Sequence, residues 1–342
     1  MNVDPVRIAV AGYGWWGKTI TRTLGGSSAV SVVRVVEPDV AVRESARADG
    51  YPVADHLDSA LADPDVDAVV LCTPHKAHAA QIVAAASAGK HVFCEKPLCL
   101  TYADALTAVT ACRDAGVVLG IGHERRFEPA VMAMRERIGR GDLGIILQVE
   151  ANFSQDKFLA LAPENWRLSN EHAPVGPLSA TGIHLVDLAI AILGPATSVW
   201  ARLATRGSNF ANGDTLGLML TFPGGANALA SAILATPFDG RIAVYGSHGW
   251  IEIRDRTHPE NSTGWDVTTC LRDQPRETVF MGPHPSVRGN LEAFAAAVKG
   301  TAVYPVTARE MLANVAALEA IMRSTSSGQI EPVMQPPSAP AA

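Results

Sequence analysis

Three glycines near the start of the chain constrain its fold more than any other feature. Residues 8–11 form a short apolar run typical of a buried parallel strand, and Gly12, Gly14 and Gly17 follow in the spacing G-x-G-x-x-G. A helical pattern begins at Lys18. In such a turn the first glycine permits a sharp bend, the second lets backbone approach a pyrophosphate, and the third lets the helix lie close to the strand. The helix N-terminus attracts phosphate. The stretch predicts a dinucleotide-binding turn; the alternative is an ordinary glycine-rich turn of an α/β domain.

Bulk properties narrow the class of protein. The chain has 342 residues, enough for two domains, and is 48% apolar and 18% charged, as is typical of globular proteins. Its net charge is −6, and no basic tract indicates nucleic-acid binding. No apolar run reaches the roughly 18 residues that span a bilayer. The first ten residues lack the basic region and apolar core of a secretory signal, so we expect no membrane partner.

Cysteine and histidine usage indicates the compartment and argues against a metal site. The five cysteines are odd in number and include no C-x-x-C pair, which favours reduced thiols in a cytoplasmic protein. His75 and His78 are three residues apart, but no nearby Asp, Glu or Cys completes a ligand set. We therefore predict no bound metal.

An acid after the second predicted strand indicates which dinucleotide is bound. The strand covers residues 30–36 and is followed by Glu37, 20 residues after Gly17. A carboxylate there accepts hydrogen bonds from the adenosine ribose hydroxyls and repels a 2′-phosphate. The position favours NAD over NADP, although a solvated loop acid is the alternative.

Strand and helix patterns alternate as far as residue 121. Six short apolar strands with helical crossovers predict a doubly wound parallel sheet, an α/β Rossmann domain. Ligands bind beyond the carboxyl ends of such strands, so residues 12–17, 73–78 and 95–97 should meet at one crevice. On these three segments and after the second strand, the residues assigned to cofactor binding are Gly12, Tyr13, Gly14, Trp15, Trp16, Gly17, Glu37, Thr73, Pro74, His75, His78, Glu95 and Lys96.

Lys96 is the strongest catalytic candidate in this half. It stands between Glu95 and Pro97 just past a buried strand, and proline fixes the backbone after it. An ammonium group beside a nicotinamide can polarise a substrate oxygen or exchange a proton with it. The alternative is an ion pair with Glu95 or a solvated pair of loop charges.

The pattern changes after residue 122. Strand-like runs separated by tight turns recur from residue 145 to residue 254, which predicts a large, mainly antiparallel sheet in an α+β domain. We predict an NAD-binding domain at residues 1–123, a substrate-binding and oligomerisation domain at 124–333, and a disordered tail at 334–342.

Two stretches of the second half carry groups suited to substrate binding. Trp166 offers an apolar platform and Arg167 a rigid fork of donors, with a rim ion pair as the alternative role. His184 and Asp187 share a face of the helix that follows Gly176. Histidine there can carry a proton near neutral pH, or it can be a core histidine bonded to Asp187.

Several motifs resemble those of the Gfo/Idh/MocA family of NAD(P)-dependent oxidoreductases, the relatives of glucose–fructose oxidoreductase and inositol dehydrogenase. They are the glycine turn AGYGWWG at 11–17, TPHKAH at 73–78, EKP at 95–97 and RRFEP at 125–129. The resemblance runs to about residue 333. It implies that Lys96 faces nicotinamide and substrate, and that the chain forms a homodimer or homotetramer through its C-terminal sheet.

One position departs from the family pattern D-x-G-x-H-x-x-D. His184 and Asp187 match its last two functional positions, but Ala180 stands where the acid is usual. In the family's sugar and inositol dehydrogenases that acid takes part in proton transfer. Lys96 and His184 would have to manage the proton with water or Thr181 as a bridge, or the substrate is not a conventional sugar.

Together these features predict an NAD-dependent dehydrogenase or reductase. Hydride would pass between nicotinamide and a hydroxyl or carbonyl carbon of a small polyhydroxylated substrate: a sugar, cyclitol or related ring compound. Lys96 and His184 are the predicted catalytic residues. The predicted substrate-binding residues are Lys96, Arg126, Trp166, Arg167, Thr181, His184 and Asp187. The alternatives are an NAD-assisted lyase or glycosidase with transient oxidation, and a non-catalytic regulator that binds NAD or sugar.

Overall fold

The computed structural model of the protein describes residues 4–337. The chain forms two compact units, each made of two separate stretches of sequence. The first comprises Met1–Glu124 and Pro285–Met311, and the second Arg125–His284 and Leu312–Ala342. Residues 338–342 of the predicted tail lie outside the described residues.

The regular elements are numbered in chain order. The strands are β1 (Val6–Ala11), β2 (Val30–Val36), β3 (Val53–Ala54), β4 (Ala68–Leu71), β5 (His91–Cys94), β6 (Leu119–Ile121), β7 (Ile146–Ser154), β8 (Ser198–Ala204), β9 (Thr215–Thr221), β10 (Asn227–Ile233), β11 (Asp239–Gly246), β12 (Gly249–Asp255), β13 (Trp265–Leu271), β14 (Glu277–Met281) and β15 (Glu331–Pro332). The α-helices are α1 (Trp15–Leu24), α2 (Val40–Ala48), α3 (Leu57–Leu61), α4 (His78–Ser87), α5 (Tyr102–Asp114), α6 (Pro129–Gly139), α7 (Ile183–Leu193), α8 (Ser286–Val298) and α9 (Ala308–Ser327).

The first unit is built on a six-stranded parallel sheet in the order β3-β2-β1-β4-β5-β6. This order reverses direction next to β1, which is the arrangement of a doubly wound dinucleotide-binding sheet. All four residues of β4 are fully buried, as expected of a strand covered on both faces. The predicted Rossmann sheet is confirmed.

Helix α8 packs in this first unit although it lies far along the sequence. The ring of Phe294 on α8 contacts Phe93 of β5, with centroids 5.6 Å apart. A Cβ atom at Gly120 of β6 would lie 2.8 Å from both rings, so glycine makes room for this contact. The hydroxyl of Tyr304 donates to the carbonyl of Ile121, and its oxygen accepts from the Ile121 amide.

The second unit is built on a nine-stranded sheet in the order β14-β13-β12-β11-β7-β10-β9-β8-β15. Only the β7–β10 pair is parallel among the described strand pairs of this sheet. Val149, Ala151 and Phe153 alternate as buried positions of β7, so one face of the strand packs on the core. The predicted α+β class with a mainly antiparallel sheet is confirmed; β13, β14 and β15 were not predicted.

Two kinds of feature are absent from residues 4–337. No helix in this range is long and apolar enough to cross a membrane. No three His, Cys, Asp or Glu side chains within it are grouped so that they could hold a metal ion.

Candidate functional site

The three glycines of the turn after β1 meet different surroundings. Gly12 has φ +89°, and a Cβ there would lie 2.7 Å from the Cys72 carbonyl oxygen. A Cβ on Gly17 would lie 2.0 Å from the Gly12 carbonyl oxygen, whereas one on Gly14 would meet no atom within 4 Å. Helix α1 has no side-chain cap and no acid in its first turn. The protein's own packing thus requires the first and third glycines, and the space before the second fits a pyrophosphate.

The three predicted cofactor segments start side by side. Ala11 pairs with Leu71, and Leu71 pairs with Cys94, so one rung of the sheet crosses the ends of β1, β4 and β5. The residues that follow this rung begin the glycine turn, the segment 73–78 and the segment 95–97. The structure therefore brings these segments to one edge of the first unit, as predicted.

Glu37 is joined to the glycine turn. Its carboxylate accepts from the backbone N–H of Tyr13 at 2.8 Å and from that of Asp39 at 3.1 Å. A carboxylate has further lone pairs, so it can still accept from ribose hydroxyls. The Tyr13 ring is buried between β2 and α2, its hydroxyl donates to Asp49, and burial raises its pKa to about 12. The buried Tyr13 side chain thus fixes the glycine turn to β2 and α2.

The side chain of His78 contacts two of the predicted cofactor segments, 73–78 and 95–97. It is fully buried, and its ring nitrogens lie 2.9 Å from the Pro97 carbonyl oxygen and 3.0 Å from that of Thr73. Burial lowers its pKa, an effect that these hydrogen bonds partly offset. His75 is nearly buried, with its ring centroid 5.8 Å from that of His78. His78 thus links these two loops through hydrogen bonds from its ring nitrogens to their backbone.

Glu95 is a buried carboxyl group beside Lys96. Burial and the nearby Glu124 carboxylate raise its pKa to about 8, while the Trp16 indole and Lys96 act in the opposite direction. A Cβ on Gly122 would lie 2.4 Å from Oε2 of Glu95, so the glycine leaves room for the carboxyl group. The Lys96 backbone N–H donates to that oxygen at 3.3 Å. The sequence did not predict a role for Glu124, because the residues around it give no sign that its carboxyl group lies near that of Glu95.

The two tryptophans of the turn differ in exposure. Trp15 is 41% exposed, whereas Trp16 is partly buried. The two rings make an edge contact, with centroids 6.3 Å apart.

In the second unit, Arg126 and Asp187 bind each other. Nε and Nη2 of Arg126 each donate to one carboxylate oxygen of Asp187 at 2.7 Å, and both side chains are 2% exposed. A two-pronged pair of this kind fixes the orientation of both groups. These two predicted substrate-binding residues are thus brought together as a buried ion pair at the base of α7.

The chain enters α7 through a π-helical turn, Leu178–Gly182. Such turns often accompany functional sites. Thr181 is buried and donates from its hydroxyl to the Pro177 carbonyl at 3.3 Å. Ala180 packs against the apolar cluster of Phe158, Leu168, Phe210 and Leu234. A carboxylate at position 180 would therefore be placed against apolar side chains.

Trp166 and Arg167 stack on each other. The guanidinium carbon of Arg167 lies 4.4 Å from the centre of the Trp166 ring. The Asn165 side chain accepts from the Arg167 N–H at 3.1 Å, and Asn212 donates to the Arg167 carbonyl at 2.8 Å. Asn212 was missed from the sequence, because it acts on this loop from 45 residues away.

Phe153, at the end of β7, is a second element that sequence reasoning missed. Its ring lies beside His184, with centroids 6.1 Å apart, and the Arg125 guanidinium lies over it at 5.2 Å. Arg125 is fully buried and donates from Nη2 to both oxygens of Asp255 at 2.8 and 2.7 Å. Phe153 therefore joins the predicted catalytic histidine to a buried ionic network.

Comparison with known proteins identifies the family. Residues 6–123 match the oxidoreductase family with an NAD-binding Rossmann fold, and residues 131–252 match the GFO/IDH/MocA C-terminal domain. The chain belongs to the Gfo/Idh/MocA family. Its first unit contains the family's NAD-binding domain, and the predictions of NAD as cofactor and of an NAD-dependent oxidoreductase are confirmed.

Individual relatives cover most of the chain. It is 30% identical to inositol 2-dehydrogenase of Rhizobium meliloti, over 94% of this chain and 97% of that protein. It is 29% identical to 1,5-anhydro-D-fructose reductase of Ensifer adhaerens, over 80% and 81%. Aldose–aldose oxidoreductase of Caulobacter crescentus, solved with glycerol, superposes with a TM-score of 0.84 at 25% identity, over 96% and 100%. Levoglucosan dehydrogenase, solved with NADH and L-sorbose, gives 0.84 at 23% identity over 97% and 100%, a likeness of fold.

Proposed function

We propose that this oxidoreductase transfers hydride between NAD and a hydroxyl or carbonyl carbon of a small neutral sugar, cyclitol or related ring compound. The observation that carries the proposal is the pairing of Ala11 with Leu71 and of Leu71 with Cys94, which aligns the ends of β1, β4 and β5. Because the glycine turn follows β1 and the Lys96 segment follows β5, both segments begin at the same edge of the NAD-binding unit. The relatives' names supply the substrate class: inositol and anhydro sugars.

The roles follow from the chemistry of each side chain. NAD, when bound, accepts or returns the hydride. The Lys96 ammonium binds the reacting oxygen and stabilises its alkoxide character. The imidazole of His184 carries the hydroxyl proton. Trp166 offers its ring to a sugar face, and Arg167 donates to hydroxyl groups.

Lys96→Met tests the central role. With a polyol and sugar panel followed by NADH absorbance, we expect kcat/KM to fall by about 10³-fold or more, because one positioned charge stabilises the developing alkoxide. NADH affinity, measured by fluorescence titration, should change less than about threefold. Lys299→Met replaces an exposed lysine and is the matched control. Wild-type rates in Lys96→Met would refute the role of Lys96, and a wild type inactive on the whole panel would refute the substrate class.

A second candidate is NAD-assisted elimination or hydration. Two observations favour it: the apolar surroundings of Ala180, and a relative, 2,7-anhydro-N-acetylneuraminate hydratase of Escherichia coli, 30% identical over 72% of this chain and 67% of that protein. Product formation without accumulated NADH would support this candidate. NADH formed in step with product supports the dehydrogenase.

We also propose that a second copy of the chain covers the open face of the nine-stranded sheet. Trp200, Met219 and Leu229 lie directly opposite one another on β8, β9 and β10 and are 40%, 37% and 39% exposed. A contiguous apolar row of this kind is typical of an interface between subunits.

The five cysteines are free thiols, which supports a reducing compartment such as the cytoplasm.

A further inference from the structure

Asn212, in the loop between β8 and β9, binds two points of a segment that begins at Arg167. Asn212 is fully buried. Its Nδ2 donates to the Arg167 carbonyl at 2.8 Å and to the Ala173 carbonyl at 2.7 Å, so both hydrogens of the amide are used. Its backbone carbonyl accepts from the Gly176 N–H at 2.7 Å. One residue therefore holds the segment 167–176 at both ends.

Apolar packing joins the same loop to this segment independently of Asn212. Phe210 of the loop and Leu168 of the segment belong to one buried apolar cluster, and Ala180 of the π-helical turn packs against it. The Asn170 side chain also donates to the Ala211 carbonyl of the loop at 2.9 Å. The loop between β8 and β9 therefore supports both the segment and the turn that leads into α7.

A buried carboxylate holds this loop in one shape. Asp214 is fully buried and accepts from the backbone N–H groups of Arg206 and Gly207, at 2.9 and 2.8 Å. It also accepts from the hydroxyls of Ser208 and Thr215, both at 2.8 Å. Burial raises the pKa of Asp214, but these hydrogen bonds outweigh that effect and bring the pKa below its usual value. The loop thus offers a fixed backbone to the segment that packs on it.

The end of the segment adopts a backbone conformation that its own sequence disfavours. Val175 has φ +50°, in the left-handed region that β-branched residues rarely occupy. A conformation of this kind persists only where the surrounding structure holds it. Two of the hydrogen bonds to Asn212 lie on either side of Val175, at Ala173 and at Gly176. Asn212 therefore helps to hold the segment against its local preference.

We propose that Asn212 is the residue that positions Trp166 and Arg167 for substrate binding. Its amide fixes the Arg167 backbone, and the Arg167 guanidinium stacks on the Trp166 ring, so both side chains depend on this contact. Groups that are held in place before the substrate arrives lose less conformational entropy when it binds. Because Asn212 is fully buried, it acts through the segment and not by touching the substrate. This inference rests on the proposed function, in which Trp166 and Arg167 bind the sugar.

Asn212→Ala removes both side-chain hydrogen bonds to the segment. With myo-inositol and levoglucosan as probes, this variant should raise KM about tenfold, keep kcat within about threefold, and leave NADH affinity unchanged. Asn152→Ala is the matched control, because Asn152 also donates from Nδ2, to Asp239, but faces away from Phe153 on the opposite side of the sheet. It should keep the wild-type KM.

The comparison of KM with kcat separates positioning from a purely structural role. A variant that only loses folded protein shows a lower apparent kcat and an unchanged KM, because KM does not depend on the concentration of active enzyme. A double-mutant cycle adds a second measure. In an Arg167→Ala background, the rise in KM caused by Asn212→Ala should be at least about threefold smaller than in the wild type. An equal rise in both backgrounds overturns the positioning role.

Hydrogen exchange tests the contact without any substrate. In Asn212→Ala, backbone amides of the segment 167–176 should exchange about tenfold faster than in the wild type, whereas those of β1 and β4 should not change. Unchanged exchange in the segment, or a wild-type KM in Asn212→Ala while the wild type turns over a probe, overturns the positioning role alone. A wild type that neither binds nor turns over any compound of the panel overturns the proposed function, and the positioning role with it.

Discussion

At the scale of single residues, Glu95 should couple the protein's stability to pH. Its pKa is raised from 4.5 to about 8 by burial and Glu124, so the folded protein holds a proton that the unfolded chain releases. The free energy of unfolding should therefore fall as pH rises from about 4.5 to 8, by a few kcal/mol in all from this group, and level off above that range. Urea unfolding of cofactor-free protein at pH 5, 6.5 and 8.5 measures this slope.

Glu95→Gln is the direct check, because it keeps the shape of the side chain and removes its titration. The variant should gain stability relative to the wild type as the pH rises, with the largest difference at pH 8.5. Glu164→Gln, at an exposed position, should leave the slope unchanged. A Glu95→Gln variant with the wild-type slope would show that this carboxyl group ionises normally in the folded protein.

Local patterns predicted which residues stand at the edge of the sheet, but not their partners. Lys96 was indicated because EKP follows a buried strand, and the rung through Leu71 and Cys94 bears out that location. The pair Glu95–Glu124 and the pair Arg126–Asp187 could not be predicted, since each joins residues that only the folded chain brings together. Proximity in space depends on loop paths that periodicity does not encode.

At the scale of elements, the glycine turn offers a matched series. Gly12→Ala and Gly17→Ala place a Cβ within 2.7 and 2.0 Å of backbone oxygens, so both should lower the melting temperature or prevent folding. Gly14→Ala meets no atom within 4 Å and has φ −67°, so its melting temperature should match that of the wild type. Its NADH affinity should fall about tenfold or more, because the methyl group occupies space that the pyrophosphate approaches.

Thermal unfolding and NADH fluorescence titration of the three variants check this series. Wild-type NADH affinity in Gly14→Ala would show that the pyrophosphate does not approach this glycine. Wild-type stability in Gly17→Ala would contradict the tight packing of α1 on the turn.

Burial explains which strands the sequence predicted and which it did not. β1 and β4 are apolar runs that are largely covered on both faces, so their composition indicates them. β13 and β14 are the partly exposed strands at one end of the nine-stranded sheet, and they contain Thr, Asp and Glu. Such edge strands carry a weak alternation signal, because one face and one edge contact water.

At the scale of the whole molecule, each compact unit is discontinuous in sequence. The segment Pro285–Met311 packs with the NAD-binding unit through contacts such as Phe294 on Phe93. Residues 312–337 pack with the second unit, where Ser324 accepts from the Ala201 amide at 2.8 Å. Each unit therefore needs two segments that are far apart in the sequence, and we expect neither unit to fold when the chain is expressed as continuous halves.

The open face of the nine-stranded sheet gives the last prediction. Trp200→Glu with Met219→Glu places two charges in the apolar row, so light scattering after size exclusion should find a dimer or tetramer for the wild type and a smaller species for this variant. Val303→Glu introduces the same charge at a position that is 91% exposed and should keep the wild-type mass. Because the row lies on the sheet of the second unit, NADH affinity should be unaffected. A monomeric wild type, or an unchanged mass in the double variant, would show that this face is not the subunit interface.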